Sequence, residues 1–217
     1  MTNYRILFEK TGRAIYISHL DLMRTITRGF IRAGIKIKHT EGFNPHPYMT
    51  FALPLSVCVE SSCELVDFIL MNDMPADELV SELNKVLPEG VKMLKAYTPE
   101  RKFKEIQWLK VSGILSYEND SPKAHTLNEF FASETIVIPK KTKRGIADTD
   151  IVPCIKEISF NDSGENVTFS AVLAAQNPAL NPEHVINAIR LHLPELSPLS
   201  TAIFREEIYD NEMNIFR

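Results

Sequence analysis

The period of the hydrophobic residues changes in a set order along the first half of the chain, and that order constrains the fold more than any single residue does. Residues 3–9 alternate Tyr4, Ile6 and Phe8 against Arg5, Leu7 and Glu9, which predicts a strand with one face toward a core. Ser18 then stands where an N-cap belongs, with Asp21 three residues later as a carboxylate variant of the capping box. Met23, Ile26, Phe30 and Ala33 recur at three- and four-residue steps and predict the buried stripe of a helix that Gly34 ends. Ile35 to His39 alternates again, Tyr48 to Val59 reads as a long strand interrupted at Pro54, and Glu64 to Met71 reads as its antiparallel partner. A helix from Pro75 to Leu87 carries Leu79, Leu83 and Val86 inward, and Val91 to Tyr97 returns as a strand. Strand, helix, strand, strand, helix, strand is the ferredoxin-like order, a four-stranded antiparallel sheet with two helices on one face.

The charged, proline-led segment from Pro99 to Glu105 reads as a connector, so the first unit is expected over residues 1–98 and a second over 106–217. Ile106 to Tyr117 predicts a strand, Pro122 to Ala132 a helix with Leu127 and Phe131 inward, and Glu134 to Pro139 another strand. Lys140 to Gly145 reads as a basic loop, followed by an acid-capped turn at Ala147 to Asp150. Glu157 to Asn161 and Asn166 to Ala174 form a hairpin around Asp-Ser-Gly. A helix opens at Asn181-Pro182-Glu183, and Thr201 to Tyr209 closes as a strand. The expected fold is therefore α+β: two tandem ferredoxin-like units with antiparallel sheets, the second less regular and carrying an inserted basic loop.

Composition excludes several classes of function. Hydrophobic residues at 44% and charged residues at 24% are the balance of an ordinary globular protein. No apolar run approaches the roughly 20 residues of a membrane span, and the charged, strand-like first ten residues do not resemble a signal peptide. A cytoplasmic protein is expected. A net charge of −4 argues against general coating of nucleic acid, though not against a local basic face. Cys58, Cys63 and Cys154 are odd in number and lack C-x-x-C spacing, and read as buried reduced thiols.

The chemically capable side chains concentrate between Ile17 and Leu55. Arg24, Arg28 and Arg32 fall at i, i+4 and i+8 on one exposed side of the first helix, and Lys36 and Lys38 add to that basic side. The loop Glu-Gly-Phe-Asn-Pro-His-Pro (41–47) holds Glu41, Asn44 and His46, with the residues before its prolines pushed toward extended conformations. His19, Glu41, Asn44 and His46 are expected to form a polar pocket at the helix start. His19, Asp21, Glu41 and His46 are types that bind zinc or iron, but their spacing matches no defined motif, so no metal and no other cofactor is expected.

Ile17 to Arg24, Glu41 to Pro47 and Phe51 to Leu55 resemble the hallmark segments of the radical-SAM-linked protein family, a bacterial family of uncharacterised function. Lys140 to Gly145 with Asp148 to Ile151 is similar to its second, weaker hallmark. The resemblance covers essentially the whole chain. It implies a partner or substrate-handling module for a radical-SAM enzyme of the cobalamin-binding type. The three closely spaced cysteines of a radical-SAM cluster are not in this sequence, so such an enzyme would act in trans.

The expected role is that of a non-catalytic accessory module that binds RNA, tRNA included, or another polyanion. Arg24 and Arg28 would contact phosphates, with Lys141, Lys143 and Arg144 as loop contacts. Phe43, Tyr48 and Phe103 would offer stacking planes. Two other readings stay open. One is a metal-independent endoribonuclease using His19 or His46 as general acid or base, argued from architecture alone. The other is a pure protein-interaction module.

Overall fold

The computed structural model describes residues 1–142 and 145–217, which form two compact units, Met1–Glu105 with Arg217 and Ile106–Phe216. The fold is mixed α+β, with four α-helices among the described residues.

In the first unit β1 (Thr2–Lys10), α1 (His19–Arg32), β2 (Met49–Phe51), β3 (Val59–Leu70), α2 (Ala76–Asn84) and β4 (Val91–Tyr97) follow one another. The sheet orders its strands β4-β1-β3-β2, every pair antiparallel. One face of that sheet meets both helices. Ile6 and Phe8 of β1, with Val66, Phe68 and Leu70 of β3, are sealed beneath Leu22, Ile26 and Phe30 of α1 and Leu79 and Leu83 of α2. Phe30 meets Phe68 edge-on at 4.8 Å. Each such side chain contributes roughly 1.5–3 kcal/mol when fully buried, so this layer holds the first unit together.

The buried stripe of α1 is turned from the expected one. Leu22, Ile26, Gly29 and Phe30 are buried, whereas Met23 and Ala33 are only half-buried. Gly29 belongs to the stripe because Leu87 crosses there, within 2.8 Å of where a Cβ would stand. The long strand expected from Tyr48 to Val59 is instead the three-residue β2. Pro54 offers no N–H to a ladder, and Cys58, at φ +63°, turns the chain into β3, which starts at Val59. Cys58 is therefore exposed in a turn, while Cys63 and Cys154 are buried thiols. Ile35 to His39 makes only the isolated bridges Ile37 to Leu70 and His39 to Pro47.

The start of α1 follows its sequence signal. Ser18 Oγ accepts from the Asp21 amide at 3.2 Å, and the hydroxyl donates to Asp21 Oδ2 at 2.7 Å. That hydroxyl, and secondarily Arg24, holds the Asp21 carboxyl below the usual range. A depressed carboxylate stabilises the fold above its unfolded pKa of about 3.9, and the contribution disappears as pH falls through the folded value. Asp21→Asn is accordingly expected to be less stable than the parent near neutral pH. The gap should close in acid below about pH 4, measured by urea unfolding across pH. A gap that persists unchanged in acid would show that the charge has no part in the cap.

The second unit contains β5 (Trp108–Ser116), α3 (Ala124–Phe131), β6 (Val137–Thr142), β7 (Gly145–Asp150), β8 (Ile155–Ser163), β9 (Asn166–Ala174), α4 (Glu183–His192) and β10 (Ser200–Tyr209). Its main sheet runs β10-β5-β9-β8, and every one of these pairs is antiparallel. With β6 and β7 set aside, chain order and sheet order repeat those of the first unit. Asp162 of β8 caps α3 by accepting from the amides of Lys123 and Ala124 at 2.9 and 3.1 Å.

Lys140 to Thr142, within the span expected as a loop, and Ala147 to Asp150, expected as a turn, belong instead to the paired strands β6 and β7, while Lys143 and Arg144 lie outside the described residues. The two strands form a hairpin and pair from Val137 opposite Asp150 to Thr142 opposite Gly145. Asp150 ties the base of this hairpin, accepting from the amides of Ile136 at 3.0 Å and Val152 at 3.1 Å. The composition of Lys140, Lys141 and Thr142 conceals the end of a strand because its pairing partner, not its hydrophobicity, fixes it.

Candidate functional site

Helix α1 carries the arginines. Arg24 and Arg28 are both exposed. Arg24 Nη1 lies 3.1 Å from Asp21 Oδ1, an exposed pair that a stronger anion can displace at little cost. Arg32 leaves the row: its Nη2 donates to the Val86 carbonyl at 2.8 Å and ties the end of α1 to the end of α2. Lys36 is exposed and Lys38 half-buried in the segment that follows.

That segment folds back on itself. The amide of Tyr48 donates to the Lys38 carbonyl and that of Thr40 to the His46 carbonyl, both at 2.8 Å, while Lys38 N reaches Ile69 O of β3. The loop between is closed by Gly42 at φ +125°, a backbone conformation that a side chain rarely adopts. His46 Nδ1 stands 3.1 Å from Thr40 Oγ1 and 3.3 Å from the Asn44 carbonyl, so the His46 ring meets both the Thr40 hydroxyl and the Asn44 backbone. Glu41 is exposed beside them. His19 is placed otherwise, in the first turn of α1, where its ring meets Phe51 of β2 edge-on at 5.4 Å. Among the described residues no group of three His, Cys, Asp or Glu side chains is arranged to hold a metal ion.

Of the three expected stacking planes, Phe43 is fully exposed at the loop tip and Tyr48 about half exposed. Phe103 is occupied: the Arg5 guanidinium sits 4.2 Å from its ring centre. Lys141 lies in β6 opposite Ile146, and Lys143 and Arg144 fall outside the described residues.

Sequence reasoning missed a hollow of about 490 Å³ between the last turns of α1 and the segment after it. Phe30, Ile31, Ile37, Pro47 and Met71 give it apolar walls, and Thr27, Lys36 and His39 are its polar members. His39 Nδ1 is 3.1 Å from the Ile37 carbonyl. A carbonyl only accepts, so this contact calls for a proton on Nδ1, which in the neutral ring leaves Nε2 as an acceptor.

A family model described as "Uncharacterized protein conserved in bacteria (DUF2344)" matches residues 3–182. The chain belongs to this family. The match takes in all of α1, the 41–47 loop and the β6–β7 hairpin of this DUF2344 chain. No curated protein matches it. A chain in the crystal structure of a Cbf5–Nop10–Gar1 complex is similar in fold, with a TM-score of 0.52 and 9% identity over 94% of this chain and 48% of that one. The DUF2344 chain thus spans about half the length of that neighbour. An unknown protein from Galdieria sulphuraria aligns over 94% of this chain and 97% of its own at 9% identity, with a TM-score of 0.27. Among the described residues no helix is long and apolar enough to cross a membrane.

Sequence reasoning also missed Arg5. The alternation of β1 places it on the face away from the helices, yet it is fully buried, with Nε and Nη2 on Asp67 at 2.7 and 2.8 Å and Nη2 on the Arg101 carbonyl at 2.8 Å. Close by, Lys95, Tyr97, Arg101 and Arg217, with Glu100, line a second hollow of about 320 Å³. Burial raises the Tyr97 hydroxyl above its usual range, partly offset by the Arg5 charge. The signal that could have found Arg5 is Asp67, a lone charge in the otherwise apolar run Leu65 to Leu70.

Proposed function

We propose that this protein is a cytoplasmic, non-catalytic module that binds RNA, or another polyanion, on behalf of a radical-SAM modification enzyme acting in trans. The observation that carries the reading is one continuous stretch that exposes cations and aromatic planes together: Arg24 and Arg28 on α1, Lys36 after it, and Phe43 and Tyr48 on the loop. Cations along a backbone track with stacking planes beside them is the composition of sites for single-stranded nucleic acid. Both units have the strand order and antiparallel pairing of a βαββαβ sheet, which supports reading them as tandem ferredoxin-like units, the second with an inserted hairpin. Lys141, Lys143 and Arg144 are proposed as further phosphate contacts. The radical-SAM partner rests on the resemblance of the Ile17–Leu55 segments. His19 packed on Phe51 and His46 holding its own loop have structural roles that need no catalysis, which favours binding over an endoribonuclease.

The test is a titration of total tRNA at two or more salt concentrations. Binding should weaken steeply as salt rises. Arg24→Ala with Arg28→Ala should lower affinity and flatten the slope of log K against log salt by about two, one per phosphate contact, with folding nearly intact. An unchanged slope in that variant, or no binding by the parent at low salt, would overturn the reading.

A further inference from the structure

The structure points to an extruded nucleobase as the occupant of the hollow beside α1, and we infer that the protein holds RNA with one base unstacked into it; this rests on the RNA-binding reading above. The hollow's volume of about 490 Å³ falls in the roughly 300–1,000 Å³ range of sites for small ligands, which are mostly apolar with a few placed polar groups. Its walls suit a flat heteroaromatic ring. Phe30, Ile31, Ile37 and Pro47 supply apolar contact, and Met71 adds a polarisable thioether.

The polar members fit the edge of a base. With Nδ1 facing the Ile37 carbonyl, Nε2 of the neutral His39 ring can accept from a ring imide or amide N–H, or from an exocyclic amino group. Thr27 adds a hydroxyl. The charge around the hollow fits the phosphate that accompanies a base. Lys36 lines it, and Arg28, one turn before Ile31 on α1, is exposed, while no carboxylate is among the lining residues. An uncharged ligand would leave those cations unused, and a cation would be repelled.

A base leaves its stack only when its stacking energy is replaced, and enzymes that extrude bases commonly fill the gap with an apolar wedge. Phe43 has that character. It is fully exposed, stands at the tip of the loop whose last residue, Pro47, lines the hollow, and is carried on backbone pinned by the Thr40–His46 bonds. A fully solvated phenylalanine held on a fixed loop has no role in the core of the unit. The extruded base would enter the hollow while the Phe43 ring takes its place in the stack.

The experiment uses a short single-stranded RNA carrying one 2-aminopurine, whose emission rises on unstacking, followed both by anisotropy and by emission intensity. The parent protein should bind and raise emission severalfold. Ile31→Asp at the exposed rim should lose at least half of the emission rise at saturating protein, and Phe43→Ala should lose as much of the rise while also weakening the binding in which its ring takes part. Arg24→Ala with Arg28→Ala should weaken binding while the rise at saturation persists. Salt-sensitive binding with no rise in the parent overturns the base-extrusion inference and leaves the RNA reading standing. An absence of binding overturns both. If the rise is unaffected by Ile31→Asp, the base goes elsewhere and the hollow is not its site. An acidic amphipathic peptide that displaces nothing from the RNA complex yet binds the parent and not Ile31→Asp would assign the hollow to a protein partner instead.

Discussion

Replacing Arg5 with alanine is expected to cost the first unit about 3 kcal/mol, the lower part of the range for breaking a buried ion pair by removing one partner. The Arg5 side chain is wholly buried, whereas Asp67 keeps 24% of its side-chain surface in water, so some of the orphaned charge is still solvated. What remains is still large. Asp67 loses a two-point contact at 2.7 and 2.8 Å, the Arg101 carbonyl loses its donor, and the Phe103 ring loses the cation above it. Because β1 is the inner strand between β3 and β4, with Arg5 opposite both Asp67 and Tyr97, the loss falls on the middle of the sheet. Amide hydrogen exchange should show the β1 and β3 amides opening faster, and the urea midpoint should fall. Pairing Arg5→Met with Asp67→Leu should recover much of the loss, since an apolar pair of similar volume avoids burying a lone charge. If Arg5→Ala leaves the midpoint in place, the pair contributes nothing and its burial is incidental.

The sequence carried the element order well and the extent of individual strands poorly. Period-two alternation and the Ser18 cap signal are local, so β1 and α1 could be read from a few residues. The short β2 could not. Tyr48 to Val59 has the composition of a strand, but the turn at Cys58 depends on β3 finding β1, a contact between distant parts of the chain. The β6–β7 hairpin was hidden for a related reason: its lysines signal solvent, and only the ladder to residues 145–150 makes them a strand. At the candidate site, the charges and the loop were legible because residue type reports them directly. The hollow was not, because it is made by Pro47 and Met71 arriving beside Phe30 and Ile31 from elsewhere in the chain. The burial of Arg5 was not legible because alternation says which face a side chain takes and nothing about what covers that face.

In the second unit Gly113→Ala should be destabilising by about 3 kcal/mol, the upper part of the usual range for overpacking. Gly113 is in β5, flanked across the sheet by Phe169 of β9 and Ile203 of β10. An added Cβ would stand 2.3 Å from Phe169 Cε1 and 2.5 Å from the Ala202 carbonyl oxygen. The first contact is with a ring that cannot swing freely: Phe169 is 6.0 Å from Phe160, which stacks on Phe131 of α3 at 5.2 Å. The second is with backbone held in the β5–β10 ladder, so relief there means opening the ladder. These two clashes can be separated. Phe169→Leu removes the ring and leaves the carbonyl, so in a double-mutant cycle the two substitutions should couple favourably by about 1 kcal/mol or more, while the pair stays less stable than the parent. Trp108, at the start of the same strand, reports unfolding of this sheet by fluorescence. Additive effects in the cycle would mean that the ring moves aside and that the carbonyl alone forbids a side chain at Gly113. A Gly113→Ala protein as stable as the parent would mean that β5 and β10 can separate locally, and that the close approach at Gly113 is not needed to hold the second unit's sheet.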